Sequence, residues 1–209
     1  MTFRYIDMDS FPRKAHFDYF SGLENPYVGI TAEVDITGFP EVCKEKGYPF
    51  FLTFLYCAAN AANAVPELRQ RIRDGKIVEY DYCIPSHTVL HDNGTYSYCR
   101  LSCDMSLEEF LPKATAAQAY IKEHPTLDDG ADALGLIFIS SLPWISYSAM
   151  VQPTPRPADS NLRLTWGKYF TREGKTLIPV TILANHALVD GIHIARFYEA
   201  LDREMAAIT

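Results

Sequence analysis

Apolar residues recur at helical spacing in some segments of the chain and alternate strictly in others. Residues 48–64 form an apolar, alanine-rich stretch that stops before Pro66, which predicts a buried helix. Ser106 and Glu109 have the spacing of a capping box and predict a second helix that runs toward residue 123. A final amphipathic helix follows Asp190, with an apolar face made of Ile194, Phe197, Tyr198, Leu201 and Met205.

Strand patterns fill most of the remaining chain, and they end at turn signals. Asp92-Asn93-Gly94 separates two strand-like runs within residues 77–101 and predicts a hairpin. Ser10 is expected to cap a short helix over residues 11–20. The other predicted strands span residues 27–36, 134–141, 162–170 and 176–184, the last two as a hairpin through residues 172–175. Helices and strands mixed in this way predict the α/β or α+β class with a mixed sheet, in one domain over residues 1–209.

Composition narrows the class of protein. The chain has 209 residues, 48% of them hydrophobic and 22% charged, as in ordinary globular domains. Its net charge of −7 argues against a nucleic-acid partner. There is no apolar run long enough to span a membrane and no signal peptide at the N-terminus. The five cysteines form no CxxC pair and the six histidines no ligand pattern, so we expect reduced thiols, a cytoplasmic location and no metal.

One segment combines residues suited to chemistry. His186 begins the pattern HxxxDG, which ends at Asp190 and Gly191, between a predicted strand and a predicted helix. A histidine held on such a loop can take a proton from a hydroxyl near neutral pH. Asp190 can cap the helix, and Gly191 permits a tight backbone turn. The pattern alone leaves open a purely structural histidine at the end of a strand, because short motifs recur by chance.

Several separated motifs resolve this ambiguity. In order, the chain resembles the trimeric, HxxxDG-containing chloramphenicol acetyltransferases at residues 11–17, 34–37, 66–69, 85–89, 140–144, 165–169 and 186–191. The resemblance runs nearly end to end and includes Ser-Ser-Leu-Pro-Trp at 140–144 and Thr-Trp-Gly-Lys-Tyr at 165–169. It implies an α/β (α+β) two-layer sandwich in which a mixed β-sheet packs with helices.

The resemblance also implies roles for individual residues. His186 matches the general base, Ser140 the oxyanion-stabilising serine, and Thr165 a threonine that holds an active-site water. Asp190 matches a structural aspartate that pairs with an N-terminal arginine, here Arg13. Residues expected to contact the coenzyme are Trp144, Lys168 and Tyr169. Residues expected to contact the acceptor are Tyr19, Phe20, Ser86, Thr88 and Tyr96.

The implied reaction is acetyl transfer from acetyl-CoA to a hydroxyl of chloramphenicol, through a ternary complex and without a permanently bound cofactor. The implied assembly is a homotrimer with active sites between subunits. Asn185 stands where the family has a first histidine, Phe20 stands where it has a tyrosine, and the proline-rich loop at 151–158 differs most. These departures leave open a different small alcohol or amine as acceptor. A dihydrolipoyl acyltransferase core and an inactive binding protein on the same scaffold are the remaining alternatives.

Overall fold

A computed structural model describes residues 1–130 and 132–209. Its α-helices are α1 (Lys14–Ser21), α2 (Phe39–Glu45), α3 (Phe50–Asn63), α4 (Leu107–Glu123) and α5 (Gly191–Ala206). Its strands are β1 (Phe3–Tyr5), β2 (Tyr27–Asp35), β3 (Gln70–Arg73), β4 (Lys76–Tyr80), β5 (Ile84–Leu90), β6 (Tyr96–Arg100), β7 (Leu136–Leu142), β8 (Leu162–Gly167), β9 (Phe170–Arg172) and β10 (Lys175–Asn185). Short 3-10 turns lie at Pro66–Arg69 and Ala133–Gly135.

The strands form one large mixed sheet and one small antiparallel sheet. The large sheet has the order β2-β10-β8-β7-β5-β6, with β9 paired to β10, and the small one has the order β1-β4-β3. In the large sheet β7 is parallel to both β5 and β8, whereas β10 is antiparallel to β2, β8 and β9. The predicted fold class, a mixed sheet packed with helices, is confirmed.

Alternation along the central strands gives the large sheet two different faces. Ile139, Leu164 and Ile182 lie opposite one another on β7, β8 and β10 and belong to the buried core together with α3 and α5. The adjacent positions along these strands are Ser140, Thr165 and Thr181, and they point to the other face, because successive side chains of a strand alternate between the two faces. Ser140 lies opposite Thr165, and Thr165 lies opposite Thr181. The polar face is therefore built from hydroxyl groups at the centre of the sheet.

Most predicted elements are present, and the differences have local causes. The first helix begins at Lys14 rather than residue 11, and Ser10 does not cap it because its hydroxyl donates to Asp7 Oδ2 at 2.9 Å. The predicted strand at 162–170 is two strands, since Lys168 N–H donates to Ile145 O at 2.8 Å between them. Sequence patterns did not predict β1 or α2, which are short, or the separate small sheet.

The capping box predicted at the start of α4 is also present. Glu109 N–H donates to Ser106 Oγ at 3.3 Å, and Ser106 N–H donates to Glu109 Oε2 at 3.4 Å. These contacts satisfy two backbone donors that the first turn of a helix otherwise leaves without partners.

Removal of the cap should weaken the fold measurably. We expect Ser106→Ala to lower the free energy of unfolding by about 1 kcal/mol, because an N–H of the first turn loses its partner. Urea denaturation at one fixed protein concentration measures the change. Ser148, an exposed serine in a loop, is the matched control, and Ser148→Ala should change stability by less than about 0.5 kcal/mol. Equal losses in the two variants would contradict the capping role.

Candidate active site

The His186 ring is fixed at the junction between β10 and α5. Its backbone N–H donates to Pro26 O at 2.6 Å, and its Nδ1 lies 2.9 Å from Val189 O. A carbonyl can only accept a hydrogen bond, so Nδ1 carries the proton of the neutral ring and Nε2 keeps its lone pair. Phe20 stacks on the imidazole with ring centroids 3.9 Å apart. The ring is thus oriented with a basic nitrogen free to accept a proton.

The predicted contact between Arg13 and Asp190 holds the loop that carries this histidine. Arg13 Nε donates to Asp190 Oδ2 at 3.0 Å, and Nη2 lies 2.8 Å from the same oxygen. The guanidinium also donates to the carbonyl oxygens of Leu188 and His186. Asp190 Oδ1 lies 3.1 Å from His186 Nδ1. One arginine on the N-terminal segment therefore contacts three points of the loop that carries the histidine.

Gly191 does not have the backbone geometry expected for it. It is the first residue of α5, its φ is not in the left-handed region, and a Cβ added there would meet nothing within 4 Å. The chain described here thus provides no steric reason for a glycine at this position.

A separate cavity of about 1120 Å³ opens over the polar face of the large sheet, and we call it the sheet cavity. Ser140 and Thr165 lie on its floor, and Trp144 lines it after β7. Three of the predicted acceptor residues also line it: Ser86, Thr88 and Tyr96. In the chain as described, neither the Ser140 nor the Thr165 hydroxyl has a side-chain hydrogen bond, so both are available to a ligand.

Within one chain, His186 and the sheet cavity are far apart. Thr181 lies beside Thr165, and His186 follows Thr181 by five positions along β10 and its end. At the rise of an extended strand, this separation is about 17 Å. His186, Tyr19 and Phe20 do not line the sheet cavity. The predicted catalytic residues therefore form two half-sites at different places on the same chain.

The predicted coenzyme residues lie on the surface. The exposed fractions are 63% for Trp144 and 45% for Tyr169, and Lys168 is also exposed. Tyr169 packs against Phe50, with ring centroids 5.4 Å apart, and it does not line the sheet cavity. Both rings are thus accessible to a bound molecule.

The sheet cavity also contains polar residues that were not predicted from the sequence, among them Gln118, Asp129, Gln152 and Arg163. Asp129 lies in the loop after α4, and its Oδ1 accepts a hydrogen bond from Ser86 Oγ at 2.5 Å. Arg163 forms two hydrogen bonds with Asp159, at 2.8 and 2.6 Å, and Asn185 Nδ2 donates to Asp159 O at 2.9 Å. Asn185 thus links the loop of His186 to the wall of the sheet cavity.

The remaining histidines and the cysteines form no second centre of chemistry. His87 is buried beside Gln118, and burial lowers its pKa to about 4. Over residues 1–130 and 132–209, no three His, Cys, Asp or Glu residues group as metal ligands would. All five cysteines are free and buried, and burial raises the pKa of each thiol. None of the described helices has the length and apolar character needed to cross a membrane.

A histidine with a free Nε2 and a cavity floored by hydroxyl groups, on this mixed sheet, fit an acyltransferase. The family model for chloramphenicol acetyltransferase matches residues 1–202. A chloramphenicol acetyltransferase from Clostridium perfringens is 33% identical over 207 residues, which cover 96% of this chain and 97% of that protein. The chain therefore belongs to the chloramphenicol acetyltransferase family.

Solved structures agree with this assignment. A chloramphenicol acetyltransferase superposes with a TM-score of 0.85 at 28% identity, over 98% of this chain and 100% of that one. A probable dihydrolipoamide acetyltransferase from Listeria monocytogenes has a TM-score of 0.70 at 16% identity, over 93% of this chain and 90% of that one. The second likeness shows a shared fold and no more.

The contacts of Arg13 predict a large loss of stability when they are removed. Arg13→Ala should lower the free energy of unfolding by about 3 kcal/mol, because it leaves a partly buried carboxylate and two carbonyls unpaired. Arg156 provides the control, since its ion pair with Glu24 is almost fully exposed and should contribute less than about 0.5 kcal/mol. Urea denaturation of both variants, at one protein concentration, makes the comparison. Similar small losses would show that Arg13 does not support the loop.

Proposed function

We propose that this protein transfers the acetyl group of acetyl-CoA to a hydroxyl of chloramphenicol, with His186 as the general base. The observation that carries the proposal is the orientation of His186, whose Nδ1 is held by Val189 O while Nε2 stays free. The relatives named above support chloramphenicol as acceptor, since that is the substrate in their names. No permanently bound cofactor is proposed, because acetyl-CoA enters as a co-substrate.

The proposed reaction is direct acyl transfer in a ternary complex. His186 Nε2 takes the proton of the acceptor hydroxyl as its oxygen attacks the thioester carbonyl. The Ser140 hydroxyl donates to the oxyanion that forms, and Thr165 beside it holds a water. The tetrahedral intermediate then collapses, the carbon–sulfur bond breaks, and the thiolate takes the proton from the imidazolium. Asp190 Oδ1, 3.1 Å from Nδ1, favours that transient cation.

The proposed assembly follows from the distance between the two half-sites on one chain. His186 of one chain cannot reach Ser140 of the same chain across about 17 Å of sheet. A cyclic homotrimer would place the histidine loop of one copy over the sheet cavity of the next and form three equal sites. In that arrangement Tyr19 and Phe20 reach the acceptor from the histidine side, while Ser86, Thr88 and Tyr96 reach it from the cavity side.

The coenzyme is proposed to bind along the exposed residues beside Ser140. Trp144, Lys168 and Tyr169 lie on the connections that leave β7 and β8, next to the strands that carry Ser140 and Thr165. An aromatic ring can cover the apolar arm of the coenzyme, and a lysine can pair with its phosphates. The five free thiols support a reducing, cytoplasmic location.

Release of free coenzyme A tests the chemistry. We expect acetyl-CoA and chloramphenicol together to release coenzyme A, and His186→Ala to lower the rate by at least about 100-fold, because the base is lost. His124→Ala is the control, since His124 is exposed and stacks on Tyr120 outside both half-sites. Near-parental release by His186→Ala would exclude His186 as the base. Release with other small alcohols or amines, but not with chloramphenicol, would exclude the proposed acceptor.

Mixing two inactive variants tests the assembly. Random trimers from equal amounts of His186→Ala and Ser140→Ala chains contain both kinds in about three quarters of cases, each with one intact site. Co-expression should therefore restore about a quarter of the parental activity per chain. Two different tags on the chains show that mixed trimers have formed. Mixed trimers with no more activity than the separate variants would place the whole site within one chain.

A further inference from the structure

The far end of the sheet cavity lies one row of side chains away from the hydroxyl groups of the proposed reaction. Ser86, Phe138 and Arg163 lie opposite one another on β5, β7 and β8, two positions along the strands from Ser140 and Thr165. Two positions on an extended strand correspond to about 7 Å. Side chains of this row would therefore contact the part of an acceptor that lies away from its reacting hydroxyl.

Asp129 supplies a negative charge at this end of the sheet cavity. The Ser86 side chain is buried, and its hydroxyl donates to Asp129 Oδ1 at 2.5 Å, which orients the carboxylate. Among the described residues, no lysine, arginine or histidine forms an ion pair with Asp129. The guanidinium of Arg163 is already paired with Asp159, and Arg100 lies against Gly130 and does not line the sheet cavity. Lys122 also lines the sheet cavity, but it forms no ion pair with Asp129 in the described chain, so the carboxylate can still pair with a cation of a ligand.

Two tyrosines line the same cavity as this carboxylate, and one of them, Tyr98, feels its charge. Tyr96 and Tyr98 line the sheet cavity with ring centroids 5.8 Å apart. Burial, the neighbouring Tyr96 hydroxyl and the charge of Asp129 together raise the pKa of Tyr98, so its ring stays neutral. A carboxylate beside neutral aromatic faces is the environment that attracts an ammonium group, through both the ion pair and the ring quadrupoles.

A second polar group in the sheet cavity also lacks a partner. The side chain of Gln152 is only 9% exposed, and its buried Nε2 has no hydrogen-bond acceptor in the described chain. A buried donor left without a partner is unfavourable, so this one is available to an oxygen of a bound molecule. Gln152 and Asp129 together indicate a polar acceptor that carries a cation as well as oxygen atoms.

We propose that Asp129 determines acceptor specificity, and that the enzyme prefers small alcohols that also carry a protonated amine. The alcohol would react at the Ser140 end of the sheet cavity while its ammonium group binds Asp129 and the two tyrosines. The inference rests on the proposed acyl transfer for the position of the reacting hydroxyl. It concerns recognition of the acceptor and leaves the roles of His186 and Ser140 unchanged.

Chloramphenicol and its parent amine form a matched pair of ligands for the test. Removal of the dichloroacetyl group leaves an amine that keeps the nitrophenyl ring and both hydroxyls. At about pH 7 this amine is largely protonated, whereas the amide of chloramphenicol is neutral. The main difference in charge therefore falls on the one nitrogen that the proposal places near Asp129.

Isothermal titration calorimetry of the full-length protein measures both affinities directly. We expect the amine to bind the parent protein more tightly than chloramphenicol does, and Asp129→Asn to weaken binding of the amine about tenfold relative to chloramphenicol. The asparagine can still accept the Ser86 hydrogen bond, so the loop keeps its anchor. Asp128→Asn is the control, because Asp128 is exposed, bonds Gly130 N–H and lies outside the sheet cavity. It should change the ratio of affinities less than twofold.

The outcomes separate this proposal from the proposed function. An unchanged ratio in Asp129→Asn, an equal change in Asp128→Asn, or no binding of the amine would each overturn the role of Asp129. Coenzyme A release, followed in the same preparations, reports on acyl transfer. Tight, Asp129-dependent binding of the amine without acetylation of either the amine or chloramphenicol would contradict the proposed function and leave the recognition site in place.

Discussion

The distance between His186 and Thr181 along the extended strand β10 decides which of the proposed site residues can meet within one chain. β10 is paired on both sides, with β2 along nine residues and with β8 along four, so it can neither bend nor shift to bring its end back over its middle. A strand advances about 3.4 Å per residue, and that rise places His186 about 17 Å from Thr181, which lies in the row of central hydroxyl groups. The sheet therefore keeps the histidine and the hydroxyl-lined cavity of one chain apart. A second copy of the chain is the simplest way to bring a histidine to this cavity.

The loop that carries His186 is held by contacts that are distant in sequence. Arg13 reaches Asp190 and the loop carbonyls from the segment before α1, and Phe20 stacks on the imidazole from within α1. On the other side, Asp190 N–H donates to His193 Nδ1, and Asn185 donates to Asp159 O. The histidine is therefore oriented by the N-terminal segment, by the start of α5 and by the wall of the sheet cavity, which favours a single ring orientation and tautomer.

Much of this arrangement could be predicted from the sequence, where the signal was local or carried by a motif. The spacing from Ser106 to Glu109 predicted a cap that is present, and the resemblance to the acetyltransferase family implied the contact between Arg13 and Asp190, which is also present. The approach of Asp129 to Ser86 could not be predicted, because it joins a loop and a strand 43 positions apart through a single hydroxyl. The inward position of Gln152 could not be predicted either, since nothing in a proline-rich loop indicates which side chain turns inward.

The proposed acyl transfer requires that His186 of one chain meets Ser140 of a neighbouring copy. A direct test is thiol cross-linking of a protein that carries both His186→Cys and Ser140→Cys, with a short bismaleimide. The five native thiols are buried and should remain unreacted while the protein is folded. We expect covalently linked dimers and trimers on a denaturing gel, because each introduced thiol faces one from a neighbouring chain. A product that stays monomeric, with its two introduced thiols linked to each other, would contradict a site formed between chains.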